Sequence, residues 1–315
     1  MQRALTERKR RGASNRRLAK KYWRMYVLLA VPVCYMLVFH YYPMLGAQIA
    51  FKRFNPSLGI WGSEWAGFEQ FTKFFSSSQF TRVVPNTIFI SFYALVAGFP
   101  IPILLALTLN TVRNLYFKKT VQMVTYTPHF ISVVVIVGMM MTVFNPRSGL
   151  FGIIFQSLTS RMLPDFFAQP MGFRHLYVWS GIWQGMGWSS IIYIAALSAV
   201  DPELHEAAHI DGASRLQRIV HIDVPSILPT AVILLILNCG SIMSVGFEKA
   251  FLMQNTLNLR ASEVISTYVY KVSLTSGRSD FSYGAAIGLF NAVINLSMLY
   301  IVNLIARKMQ ATSLW

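Results

Sequence analysis

Three groups of residues in this 315-residue chain are of types that could do chemistry. The first is a polar stretch, 201–225 (DPELHEAAHIDGASRLQRIVHIDVP), which holds five of the twelve acidic residues. The second is a set of uncharged side chains inside apolar runs: Gln184, Trp188, Tyr193, Asn238, Ser241, Asn291 and Asn295. Amides and hydroxyls bind sugars by hydrogen bonds, and aromatic rings stack on them. These seven could line a path for a neutral, hydroxyl-rich solute. Taken singly, each also suits helix-to-helix hydrogen bonding. The third group is six histidines (His40, His129, His175, His205, His209, His221) and two cysteines (Cys34, Cys239). Their spacing fits no metal site, and both cysteines fall in apolar runs as small hydrophobes. No Ser/His/Asp set stands out, and no Gly-x-x-x-x-Gly-Lys-Ser/Thr phosphate cradle is present. The expectation is a chain with no catalytic residue, no metal and no cofactor of its own.

The elements that must position these residues are set by composition. Hydrophobic residues make up 54% and charged residues 13%, which places the chain in the membrane class. Crossing ~30 Å of hydrocarbon takes about 20 apolar residues as helix. Six stretches qualify, roughly 25–45, 86–109, 121–144, 175–199, 226–246 and 282–306, and none contains Asp, Glu, Lys or Arg. A β-barrel would show short alternating segments instead. The expected fold is all-α and integral to the membrane: a basic tail over 1–24, a six-helix transmembrane domain over 25–309, and a short end over 310–315. Small residues and proline breaks (Gly98, Pro100, Pro102, Pro128, Gly181, Gly185, Gly187, Gly240) suit close helix approach inside such a bundle.

Net charge is +16, and its distribution argues for topology and against nucleic acid. With the N-terminus inside, 17 of the 28 Lys and Arg residues fall in cytoplasmic segments, ten of them within 1–24. Both termini and the loop 200–225 are then cytoplasmic. A basic start before an apolar run can be a signal peptide, but this run is long and five more follow, so an uncleaved first span is expected. The tail reads as a lipid-facing basic segment. The aromatic-rich segment 46–85 and the amphipathic 147–174 read as interfacial helices at the outer surface or as a docking face for an external partner. Without a carboxylate or a Lys/Arg in any span, a proton-coupled carrier lacks its relay, and phosphate or amino-acid carriage lacks a buried cation.

The stretch 201–225 carries its own helix signals. Asp201 is an N-cap with Pro202 at the first helical position and Glu203 in the first turn. Gly212 can end that helix in the left-handed conformation. A second helix, about 213–222, should stop before Pro225. Two short helices at an angle form a knob, with Leu204, Ala207 and Ala208 as a small apolar face that could seat in a partner's groove or pack on the chain's own bundle.

These residues match a pattern. Glu206-Ala207-Ala208, three residues, Gly212, nine residues, then Ile222-x-Val224-Pro225 resembles the EAA motif of ABC importer permeases, with Val224 where leucine is usual. The region of Thr127-Pro128-His129-Phe130-Ile131-Ser132, and Asn86-Thr87 with Leu105-Ala106-Leu107 and Asn110, is similar to maltose-type carbohydrate permeases. The stretch 41–56 (YYPMLGAQIAFKRFNP) and the closing Thr312-Ser313-Leu314-Trp315 resemble the polysaccharide or oligosaccharide branch, known mostly from Gram-positive bacteria.

The resemblance implies a six-helix type I importer permease in a bacterial cell membrane, passing an oligosaccharide or polysaccharide fragment. It implies a second, different permease chain, two ATP-binding subunits that hold ATP and Mg2+, and an extracellular solute-binding protein. Glu206, Ala207, Ala208, Gly212, Ile222, Val224 and Pro225 would then couple the chain to the ATPases: Glu206 through a charge-assisted contact or as a cap within the knob, the alanines by fitting a closing groove, Gly212 by its turn, and Pro225 by fixing the exit into the fifth span. A permease for a peptide or other small solute, a stand-alone channel or secondary carrier, and a membrane enzyme are the rival readings.

Overall fold

The computed structural model describes residues 20–275 and 280–308. Most of the basic tail, the segment 310–315 and the closing Thr312–Trp315 motif lie outside the described residues. The chain, expected as one permease domain over 25–309, divides into two compact units, Met1–Gly67 and Phe68–Trp315.

In the first unit one long helix, α1 (Trp23–Phe51), runs from α through a π-helical turn at Leu37–Tyr41 and ends in a 3-10 segment. It is followed by a two-stranded antiparallel ribbon in which Lys52 faces Trp65 and Arg53 faces Glu64. Lys52 is buried, and its ammonium donates to the Ile60 carbonyl at 2.8 Å, closing the turn between the strands.

The regular elements described in the second unit are helices, chiefly α2 (Glu69–Phe75), α3 (Phe80–Thr111), α4 (Leu115–Phe130), α5 (Val133–Val143), α6 (Leu150–Thr159), α7 (Pro170–Ser198), α8 (Pro202–Ile210), α9 (Arg215–Cys239), α10 (Phe247–Met253), α11 (Ile265–Tyr270) and α12 (Phe281–Lys308). Three hydrophobic cores tie them. Ile90, Ile136, Phe173, Met253 and Val264 join α3, α5, α7 and α10. Phe74, Val83, Ile265, Tyr283 and Ile287 join α2, α3, α11 and α12. Ala106, Tyr193, Leu197, Ile227 and Ala231 join α3, α7 and α9.

Among the described residues, four helices are long and apolar enough to cross a bilayer: α1, α3, α9 and α12. The pair α4 and α5 makes a fifth if a bend of 101° is counted within one span. The sixth predicted stretch, 175–199, lies in α7, whose 29 residues reach across a bilayer at about 1.5 Å per residue. Its Gly, Ser, Gln and Trp content makes it less apolar than the other spans.

Two sequence expectations require correction. The third span was expected as a single helix over 121–144, but the chain turns between Phe130 and Val133. Pro128 cannot donate a backbone hydrogen bond, and the following turn tightens into a 3-10 segment, Thr127–Phe130. Ser132 then caps a fresh helix by accepting from the Val135 N–H at 3.4 Å. The second helix of the polar stretch was expected to stop before Pro225. It instead continues through a π-helical turn, Ile219–Asp223, into α9. Proline has no N–H for the carbonyl four residues earlier, and the wider turn absorbs the skipped bond. Residues 211–214 separate the knob's two arms.

Candidate functional site

The structure brings four of the seven path candidates to one cavity. Trp188, Tyr193, Asn238 and Ser241 line a space of about 660 Å³, with Ser91, Tyr177, Ser189, Ser244 and the apolar wall of α3. Gln184 lines an adjoining cavity of about 310 Å³. The two cavities share Ala94, Gly98, Pro102, Tyr177 and Ser189. Trp188 is half-exposed, and its ring stacks on His129, with centroids 4.6 Å apart and planes 1° from parallel. Tyr193 is buried among Ala106, Leu197 and Ile227, so packing accounts for most of its ring. Gln184 also braces the break in the third span, donating to the Ile131 carbonyl at 2.9 Å.

Asn291 and Asn295, the other two path candidates, line neither of these cavities. Asn295 accepts from the Met243 N–H at 2.8 Å and donates to the Ser244 hydroxyl at 2.9 Å. It therefore pins the chain just after α9. The Asn291 Oδ1 is buried without a hydrogen-bond partner.

Sequence reasoning missed Lys249. It was assigned to an outer loop, yet α10 folds back so that Lys249 is buried and lines the smaller cavity. Its Nζ donates to the Tyr177 carbonyl at 2.8 Å and lies 4.9 Å from the centre of the Tyr177 ring. Burial pushes its pKa down from 10.5 to about 8. A lysine three residues past the expected end of a span was the available signal. Nothing in the sequence said that the following segment re-enters the bundle.

The coupling residues sit on the knob. Asp201 caps α8 by accepting from the Glu203 N–H at 3.0 Å, and Pro202 is its first residue. At the other end Gly212 has φ +78°. The Ala213 N–H donates to the Ala208 carbonyl at 2.9 Å and the Gly212 N–H to the His209 carbonyl at 3.1 Å, the paired bonds of a Schellman ending. Ser214 and Gln217 then start α9 with a reciprocal capping box.

The knob is anchored. His205 Nε2 lies 3.3 Å from Asp223 Oδ1, and the same oxygen accepts from the Asn110 amide at 3.3 Å. Asp223 is buried, so one carboxylate ties α8 to α3 and to the base of α9. Glu206 borders a cavity of about 480 Å³ with Arg113, Arg215 and Arg218. Leu204, Ile210 and Leu216 are exposed, Ile210 by 86%. The knob thus turns an apolar face away from its own bundle.

A largely helical membrane component with a cavity of mixed polar and apolar lining and an anchored knob is the class that this fold and site define. Residues 98–311 match the family of binding-protein-dependent transport system inner membrane components, and the chain belongs to that family. The polygalacturonan/rhamnogalacturonan transport system permease protein YteP of Bacillus subtilis (strain 168) is 41% identical over 89% of this chain and 87% of its own length. A chain of a bacterial ABC transporter involved in the import of the acidic polysaccharide alginate superposes with a TM-score of 0.84 at 38% identity, covering 92% of this chain and 97% of that one. A chain of an alginate transporter in complex with an alginate pentasaccharide-bound periplasmic protein gives 0.85 at 36% identity, covering 94% and 98%.

Proposed function

We propose that the chain is the pore-forming permease of an ATP-driven importer for an oligosaccharide or polysaccharide fragment. It takes its energy from separate ATPase subunits that hold ATP and Mg2+, through Glu206, Ala207, Ala208, Gly212, Ile222, Val224 and Pro225. The observation that carries this reading is the knob: two capped helices, pinned by Asp223, with Leu204, Ile210 and Leu216 facing outward. A rigid lever with an unpartnered apolar face suits docking in a groove of another protein. The cavity lined by Trp188, Tyr193, Asn238 and Ser241 offers the ring faces, amide and hydroxyls that a sugar requires. Further support comes from the names of the relative and of the solved transporters.

In this reading the partners are a second, different permease chain, two ATP-binding subunits, an extracellular solute-binding protein and the surrounding lipid. The knob and both termini face the cytoplasm of a bacterium, and the Bacillus relative supports a Gram-positive source. Purification of the tagged chain from its native membrane tests the proposal. The expected result is co-elution with a second permease and an ATPase, and uptake that requires ATP. A chain that purifies alone and equilibrates solute without ATP would sink it in favour of a channel or carrier.

A further inference from the structure

Lys249 lines the smaller cavity and carries the one charged side chain among the residues that border the two adjoining cavities. It keeps 8% of its surface exposed. It makes no ion pair among the described residues. Neither cavity lining contains Asp or Glu. A buried ammonium without a counter-ion is costly, and an arriving opposite charge would offset that cost. Lysine has three N–H donors. One is taken by the Tyr177 carbonyl at 2.8 Å, which fixes where the charge sits and leaves two donors free. A Cβ at Gly181 would stand 3.3 Å from Nζ, so an alanine there would displace the ammonium by a few tenths of an ångström.

We propose that Lys249 is a carboxylate-binding residue of the transport path, so that the solute is an acidic oligosaccharide whose uronate groups pass the ammonium in turn. The inference rests on the proposed permease role and assigns the charge class of its solute. A carboxylate supplies both the missing counter-charge and acceptors for the two remaining donors. The neighbouring amide, hydroxyls and rings of Gln184, Ser189, Tyr177 and Trp188 remain for the sugar ring itself. A single fixed cation also allows release, since multi-point capture would hold a polyanion too tightly to move it on.

The test uses the complete importer, with its own permease partner, ATPases and solute-binding protein, reconstituted in liposomes. Uptake of tetragalacturonate is compared with that of its fully methyl-esterified, neutral counterpart. K249Q should lower the acid-to-ester uptake ratio by about tenfold, corresponding to ~1.4 kcal/mol, and K249R should restore it. A ratio unchanged in K249Q overturns the proposal, because a purely structural tie would lower both solutes together. Wild-type importer that moves the ester and rejects the acid also overturns it while leaving the permease reading intact. Movement of neither solute would bring down both. A measurement on the wild-type complex covers a K249Q variant that fails to assemble. Acetylation of Lys249 by acetic anhydride, read by mass spectrometry, should be slowed by tetragalacturonate and not by the ester. Equal protection by the two, or none, overturns the assignment.

Discussion

Gly212 sits at φ +78°, where a β-branched residue is strained by about 1–2 kcal/mol. Gly212→Val is expected to abolish uptake while the protein still inserts, because the turn that sets the knob's angle is lost and the spans are not. Quantifying the variant in membranes beside its uptake checks this, and undiminished uptake would refute the role of the turn. Asn295→Ala should act differently. It removes the bonds to Met243 and Ser244 and leaves a backbone N–H unpaired, at a cost of ~1–3 kcal/mol. Lower thermal stability with unchanged solute preference is the expected outcome, and altered preference would place Asn295 in the path after all. Lys249 predicts a pH dependence. Its folded pKa of about 8 lies below the ordinary 10.5, so between those values the unfolded chain binds the extra proton. Stability contributed at this site therefore rises from about pH 8 to 10.5. Thermal unfolding across that window should rise less steeply in K249M than in wild type, and parallel curves would show that burial does not perturb the amine.

Among the elements, α8 is held by a shared carboxylate more than by packing. Asp223 reaches His205 on one side and Asn110 on the other, so a push on α8 is passed to α3 and α9 together. Asp223→Asn keeps the shape and removes the charge. Uptake is expected to fall while ATP hydrolysis by the assembled complex continues, since the lever would move without moving the spans. Equal loss of both activities would make Asp223 a folding residue only. The crossing of α7 and α4 is set by Gly187, where a Cβ would overlap the Thr125 carbonyl. Gly187→Leu should separate these helices at a cost of ~1–3 kcal/mol or more. A lower melting temperature in detergent would be the sign, and a wild-type value would show that the crossing has slack.

At the scale of the whole molecule, membrane class, the knob's caps and the family pattern were all legible in the sequence. They rest on local rules: the length of an apolar run, the side chain that can accept at a helix N-terminus, and the glycine needed for positive φ. Asp201, Pro202, Gly212 and the 206–225 spacing needed no tertiary information. The seven path candidates were chosen on residue type alone, and only Trp188, Tyr193, Asn238 and Ser241 meet in one cavity. Asn295 turned instead to brace the chain end of α9, because its neighbours, not its type, decide where its bonds go. The break at Pro128 and the unbroken run through Pro225 show the same division. Both prolines forbid one backbone bond, yet one ends a helix and the other only widens a turn. The outcome depends on what packs nearby: Gln184 takes the carbonyl of Ile131 at the first. Lys249 is the furthest case. Sequence placed its charge in an outer loop, since charge near an apolar run is read along the chain. The tertiary fold carried it back into an acid-free cavity, because burial and counter-charge are properties of the space around a side chain and not of its position in sequence.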